Sequence, residues 1–421
     1  MTRCNKIKTL LLRRKCRSAS LLILLILAAY SVYYLCSDHL STAAFLELHK
    51  CPACYGVSYC DHLLEKRVIP KSWSGTGLSN LINVKNVFFA RHSHRWVVLK
   101  KLGHDKELTT LDRKLCSLAN KTTSSCEVNK LHLEPLFTTH LRSKKFLLEL
   151  VTGISDLTRC PSKRLVDLIL NRYSERYLVG QDVQKRWTPE RIMVLLTTLA
   201  ANPEPVIMQV FHQDNGWPFP RYYGACGRMV VEQYVGKSLG DYYVSPWRTR
   251  VGLAYQLFQI ADLLTNNKGN WSLYWTDVSY DNIAVDPDGR VVVVDLENII
   301  VVDKLKIIQD RPPEWDKVLT STFDECIPNH NCLSFSPDSL CTRLVADHNY
   351  YAVCHGILSS YADDEGRPGG LLHSMPDIIK TTWGLDKLLD ECAKPSSEQT
   401  SRLKIKDQLL TVLAELAGVN G

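Results

Sequence analysis

The chain has 421 residues, of which 45% are apolar and 23% are charged, and it contains 15 Cys. This composition excludes a mainly disordered, collagen-like or low-complexity chain and is typical of a folded protein. The net charge of +7 comes from seven basic residues among residues 1–17, and the remaining 44 basic residues balance the 44 acidic ones. Because the rest of the chain is neutral, no nucleic-acid groove is predicted.

An uncharged segment, residues 18–37, follows the basic tail. As a helix it would be about 30 Å long, enough to cross the core of a bilayer. The positive flank precedes it, so the tail is predicted to stay cytosolic and the chain from Asp38 onwards to face the lumen. We therefore predict a type II signal anchor. A cleaved signal peptide is the alternative, because the purely aliphatic run is short and small residues follow it.

Twelve cysteines follow this segment, an even number that predicts up to six disulfides in an oxidising lumen. They are Cys51, Cys54, Cys60, Cys116, Cys126, Cys160, Cys226, Cys326, Cys332, Cys341, Cys354 and Cys392. The C-x-x-C pair of Cys51 and Cys54, with Cys60 and His62 nearby, also fits a zinc site or a redox pair. Structural disulfides are favoured, because no second C-x-x-C completes a zinc ribbon and no thioredoxin-like pattern surrounds the first.

The predicted elements form a two-lobed α+β domain. In chain order they are strands 84–90 and 96–102, helices 107–116, 163–176 and 188–201, strands 205–211 and 228–235, helix 247–265, strands 274–278, 283–285 and 291–294, and a helical C-terminal third. The predicted boundaries are a basic tail at 1–17, the anchor or signal peptide at 18–37, a Cys-rich stem at 38–73, an N-lobe at 74–236 with a helical insertion at about 117–204, and a C-lobe at 237–421 with a Cys-rich helical tail.

Three residues of the second lobe carry the clearest chemical signal. Asp277 and Asn282 are five apart, as in the kinase motif H-R-D-L-x-x-x-N. Asp295 follows the turn 286–289 and the apolar strand, as the metal-binding Asp of D-F-G does. In phosphoryl transfer Asp277 would orient the acceptor hydroxyl, while Asn282 and Asp295 would hold Mg²⁺ or Mn²⁺ on the ATP phosphates. The alternative, ordinary turn residues, explains each residue but not their joint spacing.

Residues upstream extend this into a predicted ATP site. The strand sequence VVLK resembles V-A-I-K, which makes Lys100 the candidate for the α/β-phosphates. Lys101 is the competitor, because strand alternation places only one of the two in the cleft. Glu107 on the next helix is the candidate ion-pair partner of this lysine. Glu232 lies on an apolar strand that runs into Gly236, the place of a hinge that would bind adenine.

Four further matches are less specific. The segment 74–80 contains G-x-G and is a candidate phosphate loop, but it lacks a third glycine, so an ordinary flexible turn is favoured. Residues 312–314, Pro-Pro-Glu, are a candidate counterpart of the kinase A-P-E motif. Asn120 and Asn270 begin acceptor sequons for N-glycosylation, in agreement with a lumenal domain.

Long strings of residues resemble the divergent protein kinase domain two family, also called the deleted-in-autism family, within the divergent secretory-pathway kinase-like group. They include residues 50–54, 83–87, 160–162, 202–205, 224–229, 264–267, 277–279, 347–351 and 369–373. The resemblance implies a kinase-like fold, residence in the Golgi or elsewhere in the secretory pathway, and a secreted form with a signalling role. It does not decide whether the protein is catalytic.

The motifs also depart from those of ordinary kinases. Trp275 and Thr276 replace His-Arg, Ser279 stands where many kinases have Lys, and Leu296-Glu297 replaces Phe-Gly. The predicted metal-binding and nucleotide-binding residues are retained, whereas residues that control activity in ordinary kinases are altered. This combination fits two functions. One is ATP-dependent phosphorylation of a hydroxyl on a secretory protein or glycan. The other is a pseudokinase that acts as a scaffold or as a secreted ligand of a cell-surface receptor. A thiol-disulfide oxidoreductase is a third, minor alternative.

Overall fold

The computed structural model describes residues 40–71, 86–103, 105–122, 125–135, 148–149, 151–173, 187–321, 335–364, 366–396 and 401–418. The predicted basic tail and anchor, the candidate phosphate loop, Cys326 and Cys332 lie outside these residues. Within the described part, no helix combines the length and the apolar character that crossing a bilayer requires.

A five-stranded antiparallel sheet organises the first lobe. Its strands are β1 (Val68–Pro70), β2 (Val87–His92), β3 (Arg95–Lys100), β4 (Tyr222–Cys226) and β5 (Met229–Gln233). They pair in the order β1-β2-β3-β5-β4. The predicted hairpin of β2 and β3 is confirmed, but its turn is shorter than predicted, because His92 pairs with Arg95 and only Ser93 and His94 close the turn.

Residues 40–71, predicted as a stem, pack as part of this lobe. β1 forms an edge of the sheet, and the short helix α1 (Cys60–Leu64) lies over one face. Leu46 from this segment shares a buried apolar cluster with Phe88 of β2 and Val231 of β5. A disulfide between Cys60 and Cys226 fastens the segment to β4. The segment therefore covers a face of the sheet that would otherwise expose apolar side chains.

A buried arginine next to β5 joins the same segment to the helices. Arg228 is 1% exposed and pairs with Glu47 at 3.2 Å and with Asp112. Gly227, which precedes it, has a positive φ of 62°, and a Cβ at this position would lie 1.9 Å from the main-chain oxygen of Leu46. Only glycine allows this approach, which brings Arg228 to its acidic partners.

Helices fill the chain between β3 and β4. They are α2 (Asp105–Leu118), α3 (Lys163–Arg172), α4 (Pro189–Ala201) and α5 (Glu204–Val210). Helix α4 begins as predicted, since the Thr188 hydroxyl accepts from the Arg191 N–H at 3.3 Å. The strand predicted at 205–211 is wrong, because these residues form α5. Every residue of α5 is buried, and a short run that is buried on all sides has no periodicity that distinguishes a helix from a strand.

The second lobe begins with the long helix α6 (Trp247–Thr265), which has the predicted bounds. The strands around it are β6 (Lys237–Ser238), β7 (Trp271–Trp275), β8 (Ile283–Val285), β9 (Val291–Val293) and β10 (Ile299–Asp303). They pair as β6-β8-β9 and as β7-β10. The helices that follow are α7 (Lys304–Asp310), α8 (Pro337–Thr342), α9 (His348–Val353), α10 (Asp377–Trp383), α11 (Leu385–Ala393) and α12 (Arg402–Ala417).

Two predictions for this lobe have different outcomes. The predicted turn 286–289 between β8 and β9 is confirmed by a hydrogen bond of 2.9 Å from the Asp286 N–H to the Arg290 carbonyl. The strand predicted at 274–278 is displaced, because β7 ends at Trp275. The N–H of Trp275 donates to Asn349 and its carbonyl contacts the His348 ring, so a side-chain network occupies the end of the strand.

Five disulfides are present in the described part. They join Cys51 to Cys54, Cys60 to Cys226, Cys116 to Cys126, Cys160 to Cys341, and Cys354 to Cys392. The preference for structural disulfides over a zinc site is confirmed for these ten cysteines, because each sulfur is bonded to another. Cys354–Cys392 braces the second lobe, Cys160–Cys341 joins the segment before α3 to α8 of the second lobe, and Cys60–Cys226 braces the first.

Candidate active site

Lys100 ends β3 and points into the cleft between the lobes. In the sheet register Lys100 lies opposite Val230, and Val98 lies opposite Glu232, so strand alternation places all four side chains on one face. Lys101 points the other way and pairs with Glu47 at 3.0 Å. Of the two candidate lysines, Lys100 is therefore the one in the cleft.

The ammonium of Lys100 contacts two buried carboxylates. Its Nζ lies 2.7 Å from Glu204 Oε1 and 2.9 Å from Glu232 Oε1. Burial alone would lower the pKa of Lys100, but the neighbouring carboxylates outweigh burial and raise that pKa above its ordinary value. Burial also raises the pKa of Glu204 and of Glu232, although Lys100 opposes the shift.

Glu204, at the start of α5, holds the position predicted for Glu107. Glu107 lies on the exposed side of α2, and its carboxylate acts electrostatically on Glu297 instead. Sequence reasoning missed Glu204, although it belongs to the distinctive string at 202–205. The cause was the wrong strand prediction for the residues that follow, which left no helix to present an acidic partner.

Asn202 links the start of α5 to the segment that follows Asp295. Its Oδ1 accepts from the Glu204 N–H at 3.0 Å, and its Nδ2 donates to Glu297 Oε2. Partial burial, and then the charges of Asp295 and Asp277, raise the pKa of Glu297 to about 7. The residue that replaces the glycine of D-F-G therefore contacts both lobes.

The three residues of the predicted catalytic and metal motifs lie together. The Val294 N–H donates to the Asn282 carbonyl at 3.0 Å, which brings the residue before Asp295 against the catalytic loop. Asn282 Nδ2 donates to the Asp277 main-chain oxygen at 3.1 Å. The side chain of Asp277 is exposed in the cleft, and Asn298 Nδ2 donates to its Oδ2 at 3.3 Å. Asn298 lies outside any motif, so sequence reasoning could not find it.

Buried polar side chains form hydrogen bonds with the end of β7, just before the loop that contains Asp277. His348 Nε2 lies 3.0 Å from the Trp275 carbonyl oxygen, and Asn349 Oδ1 accepts from the Trp275 N–H at 2.9 Å. Asn349 Nδ2 donates to Thr265 Oγ1 and to the Leu273 carbonyl, each at 3.0 Å. Burial lowers the pKa of His348 to about 4, so it is a neutral hydrogen-bonding group at neutral pH. The distinctive string at 347–351 thus positions the strand that leads to the catalytic loop.

Comparison with known proteins agrees with this geometry. The family model described as the protein-kinase domain of FAM69 matches residues 196–395. Divergent protein kinase domain 2A of Homo sapiens is 43% identical over 407 residues, which cover 94% of each chain. The same protein of Xenopus tropicalis is 42% identical over 95% of this chain and 94% of its own. Divergent protein kinase domain 2B of Homo sapiens is 30% identical over 62% of this chain and 61% of its own.

The chain belongs to the divergent protein kinase domain family. The resemblance found in the sequence strings is thereby confirmed, and the domain is kinase-like. The matched range contains Glu204, Glu232 and the three residues of the catalytic and metal motifs. Lys100 lies outside it, so its place in this family's cleft comes from the geometry described above.

A small buried apolar cluster joins the residues after β5 to β8 and β9. Val235, Ala284 and Val292 form it, with Val294 packed against them. Gly236 follows, where a Cβ would lie 2.0 Å from the Val285 main-chain oxygen, so a side chain here would force the hinge away from β8.

The other predicted positions stay predictions. Asn120 and Asn270 are exposed at turns and both have a φ of 55°, so each sequon asparagine is accessible. Glu314, the candidate counterpart of the Glu in A-P-E, pairs with Arg343. Hydrogen bonds from Arg343 and Lys317 lower the pKa of Glu314 to about 2.

Proposed function

We propose that this chain binds ATP together with Mg²⁺ or Mn²⁺ and transfers the γ-phosphate to a hydroxyl group. The observation that carries the proposal is the convergence of the Lys100–Glu204 ion pair with Asn282 and Asp295. Lys100 Nζ lies 2.7 Å from Glu204 Oε1 and 2.7 Å from the carbonyl oxygen of Val294, which precedes Asp295. Phosphoryl transfer is catalysed mainly by positioning and electrostatic stabilisation, which such a cleft supplies.

Asn282 and Asp295 suit a divalent cation. Asn282 uses its amide nitrogen on the Asp277 carbonyl, which leaves its side-chain oxygen as a ligand. An amide oxygen and a carboxylate are ligands that Mg²⁺ prefers, and when bound the cation would neutralise charge on the phosphates. Within the described ranges no group of three or more His, Cys, Asp or Glu side chains could hold a metal by itself. Phosphate and water oxygens would therefore supply the remaining ligands.

Asp277 would receive the proton of the acceptor hydroxyl. The hydroxyl oxygen bonds to the γ-phosphorus, the bond from that phosphorus to the β–γ bridging oxygen breaks, and ADP leaves. The hydroxyl proton passes to the Asp277 carboxylate. Asn298 orients this carboxylate through its hydrogen bond of 3.3 Å. Lys100 binds the α- and β-phosphates, and its ion pair with Glu204 keeps the ammonium in place.

The proposed setting is the lumen of the Golgi or endoplasmic reticulum, reached through the N-terminal anchor. A secretory protein or glycan is the proposed acceptor. Disulfides persist in oxidising compartments, and the five disulfides within the described residues support that setting. In sealed vesicles we expect a C-terminal tag to be protected from added protease, and we expect the Asn120→Gln and Asn270→Gln variants to lose glycosidase-sensitive mass.

The second candidate is a pseudokinase that acts as a scaffold or, after cleavage and secretion, as a ligand of a cell-surface receptor. Glu297 favours it. This carboxylate stands where kinases with D-F-G have glycine, and its charge acts on the cleft beside Asp295. Nucleotide binding without transfer would identify this second function.

The nucleotide site is tested by the melting temperature of the full-length chain. Mg·ATP should raise it, and ATP with a chelator should not. At one hundred times the dissociation constant, the gain in stability is about 2.7 kcal/mol. Asp295→Ala should abolish the shift. The control is Asp288→Asn, which removes an exposed carboxylate in the turn before β9 and should keep the shift.

Asp277→Asn separates the two candidates. It should keep the melting shift, because Asp277 addresses the acceptor rather than the nucleotide, and it should lose phosphate transfer. If the wild type and Asp295→Ala melt identically with and without Mg·ATP, the nucleotide site is wrong.

A further inference from the structure

Lys100 has no donor left for a phosphate. An ammonium group carries three N–H bonds. Three acceptors lie within hydrogen-bond distance of its Nζ: Glu204 Oε1 at 2.7 Å, Glu232 Oε1 at 2.9 Å and the Val294 carbonyl oxygen at 2.7 Å. The lysine side chain is 12% exposed. A nucleotide phosphate must therefore displace one of the three acceptors before it can bind Lys100.

Two of these acceptors are held by other bonds. The Val294 carbonyl belongs to main chain whose N–H donates to the Asn282 carbonyl at 3.0 Å. Glu204 begins α5, and its N–H donates to Asn202 Oδ1 at 3.0 Å. Asn202 in turn donates to Glu297. Moving either acceptor would disturb the contacts between the lobes.

Glu232 is the acceptor that the fold holds least. Its Oε1 contacts Lys100, whereas its Oε2 is buried and has no hydrogen-bond partner among the described residues. Glu232 lies opposite Val98, one residue before the end of β5 and just before the hinge. Among the described residues no other hydrogen bond holds the Glu232 carboxylate, so only its contact with Lys100 has to break when it turns away, and proton uptake by this carboxylate offsets the lost ion pair.

The charges in the cleft also favour the displacement of a carboxylate from Lys100. One ammonium, that of Lys100, faces the carboxylates of Glu204 and Glu232, and Asp295 adds a third negative charge. Nucleotide phosphates bring further negative charge to the same place. The proposed Mg²⁺ would neutralise part of the phosphate charge, and withdrawal or protonation of one carboxylate would lower the repulsion that remains.

The geometry points to Glu232 as an internal competitor that occupies the phosphate-binding lysine until a nucleotide displaces it. The inference rests on the proposed nucleotide site and names a residue that sets its affinity. On binding, Lys100 moves one N–H from Glu232 Oε1 to a phosphate oxygen, while Glu204 continues to orient the ammonium. Burial raises the pKa of Glu232, so its carboxylate can take up a proton once Lys100 has turned to the phosphate.

Calorimetric titration of the full-length chain with Mg·ADP and with adenosine tests the competitor. Glu232→Gln keeps the shape of the side chain and removes its charge. Mg·ADP should bind this variant at least about tenfold more tightly than the wild type, the effect of freeing one hydrogen bond to a charged group. Adenosine, which has no phosphate, should bind both proteins equally.

Glu204→Gln is the matched control, because it removes the same charge from the same lysine. It should weaken Mg·ADP binding, since Lys100 then loses the partner that holds it in place. If both variants bind Mg·ADP more tightly by the same factor, the loss of negative charge alone explains the effect, and the role of Glu232 is overturned. Mg·ADP binding to Glu232→Gln that is no tighter than to the wild type would overturn it too, and so would parallel tightening of adenosine.

The two proposals fail in different ways. If neither ligand binds the wild type or any variant, the proposed nucleotide site is wrong and the competitor falls with it. If Mg·ADP binds the wild type and Glu232→Gln equally, the nucleotide site stands and only the competitor is overturned. Binding to Glu232→Gln alone supports both.

Discussion

Arg402 in the second lobe and Lys100 in the first are both largely buried cations, and their charges are balanced differently. In the second lobe Arg402 pairs with Asp347, and the side chains are 0% and 2% exposed. Arg402 also donates to the Cys392 and Ser321 carbonyls, and Asp347 Oδ1 accepts from the Ser321 N–H at 2.8 Å. One positive charge thus meets one negative charge, and the remaining hydrogen-bonding groups have main-chain partners.

In the first lobe Lys100 meets two carboxylates, and one oxygen of Glu232 is left without a partner. Folding alone favours the first arrangement, because an uncompensated buried charge is expensive. Surplus charge in a cleft is the pattern expected where a ligand completes the electrostatic balance. The surplus charge at Lys100 is therefore what the proposed nucleotide site predicts, whereas the pair of Arg402 and Asp347 is complete without a ligand.

The largest expected loss of stability follows from breaking the ion pair of Arg402 and Asp347. Arg402→Met leaves Asp347 buried and unpaired, which should lower the free energy of unfolding by about 3–5 kcal/mol in a denaturant titration. Asp347→Asn in the same background should recover much of the loss, because it removes the stranded charge. A loss below about 1 kcal/mol would mean that the pair behaves like an exposed salt bridge.

Lys100→Met should cost less, about 1–3 kcal/mol. Glu204 and Glu232 already have raised pKa values, so both can take up protons when the lysine is removed. The folded variant then keeps protons on these two glutamates at pH values where the unfolded chain has already released them. The free energy of unfolding of the variant should therefore fall as the pH rises. Unfolding titrations at pH 5 and pH 8 measure this, and a cost that is independent of pH would contradict the explanation.

The smallest expected effect concerns Glu297, whose pKa is raised from 4.5 to about 7. Because the folded state keeps a proton that the unfolded chain loses, the contribution of this group is complete below pH 4.5 and lost as the pH rises to about 7. Glu297→Gln should remove this dependence. The melting temperature of Glu297→Gln minus that of the wild type should increase between pH 5 and 7 and stay constant above pH 7. The same difference for Asp288→Asn should not change with pH.

Local patterns predicted much of the fold. The periodicity of α6 and the Thr188 cap of α4 are encoded within a few residues, so their bounds followed directly. The spacing of Asp277, Asn282 and Asp295 also predicted their convergence, because a short hairpin carries the chain from one to the next. These signals are local, which is why they could be read without a structure.

Other features depend on contacts that are distant in the chain. Glu204 is 104 residues from Lys100, and the short helix that presents it is buried on all sides. No periodic pattern marks such a helix, and nothing nearby indicates which acid the lysine will meet. The packing of residues 40–71 on the sheet is also non-local, since its disulfide spans 166 residues.

The pairing of β3 with β5 has a consequence for the order of events during synthesis. Strand β3 ends at Lys100, whereas its neighbour β5 begins only at Met229. Until the ribosome has made β5, the sheet lacks its central partner, and contacts between distant segments form slowly. The nascent chain therefore carries Lys100 without Glu204 until α5 is made and without Glu232 until β5 is made, so the acidic surroundings of this lysine are complete only after β5.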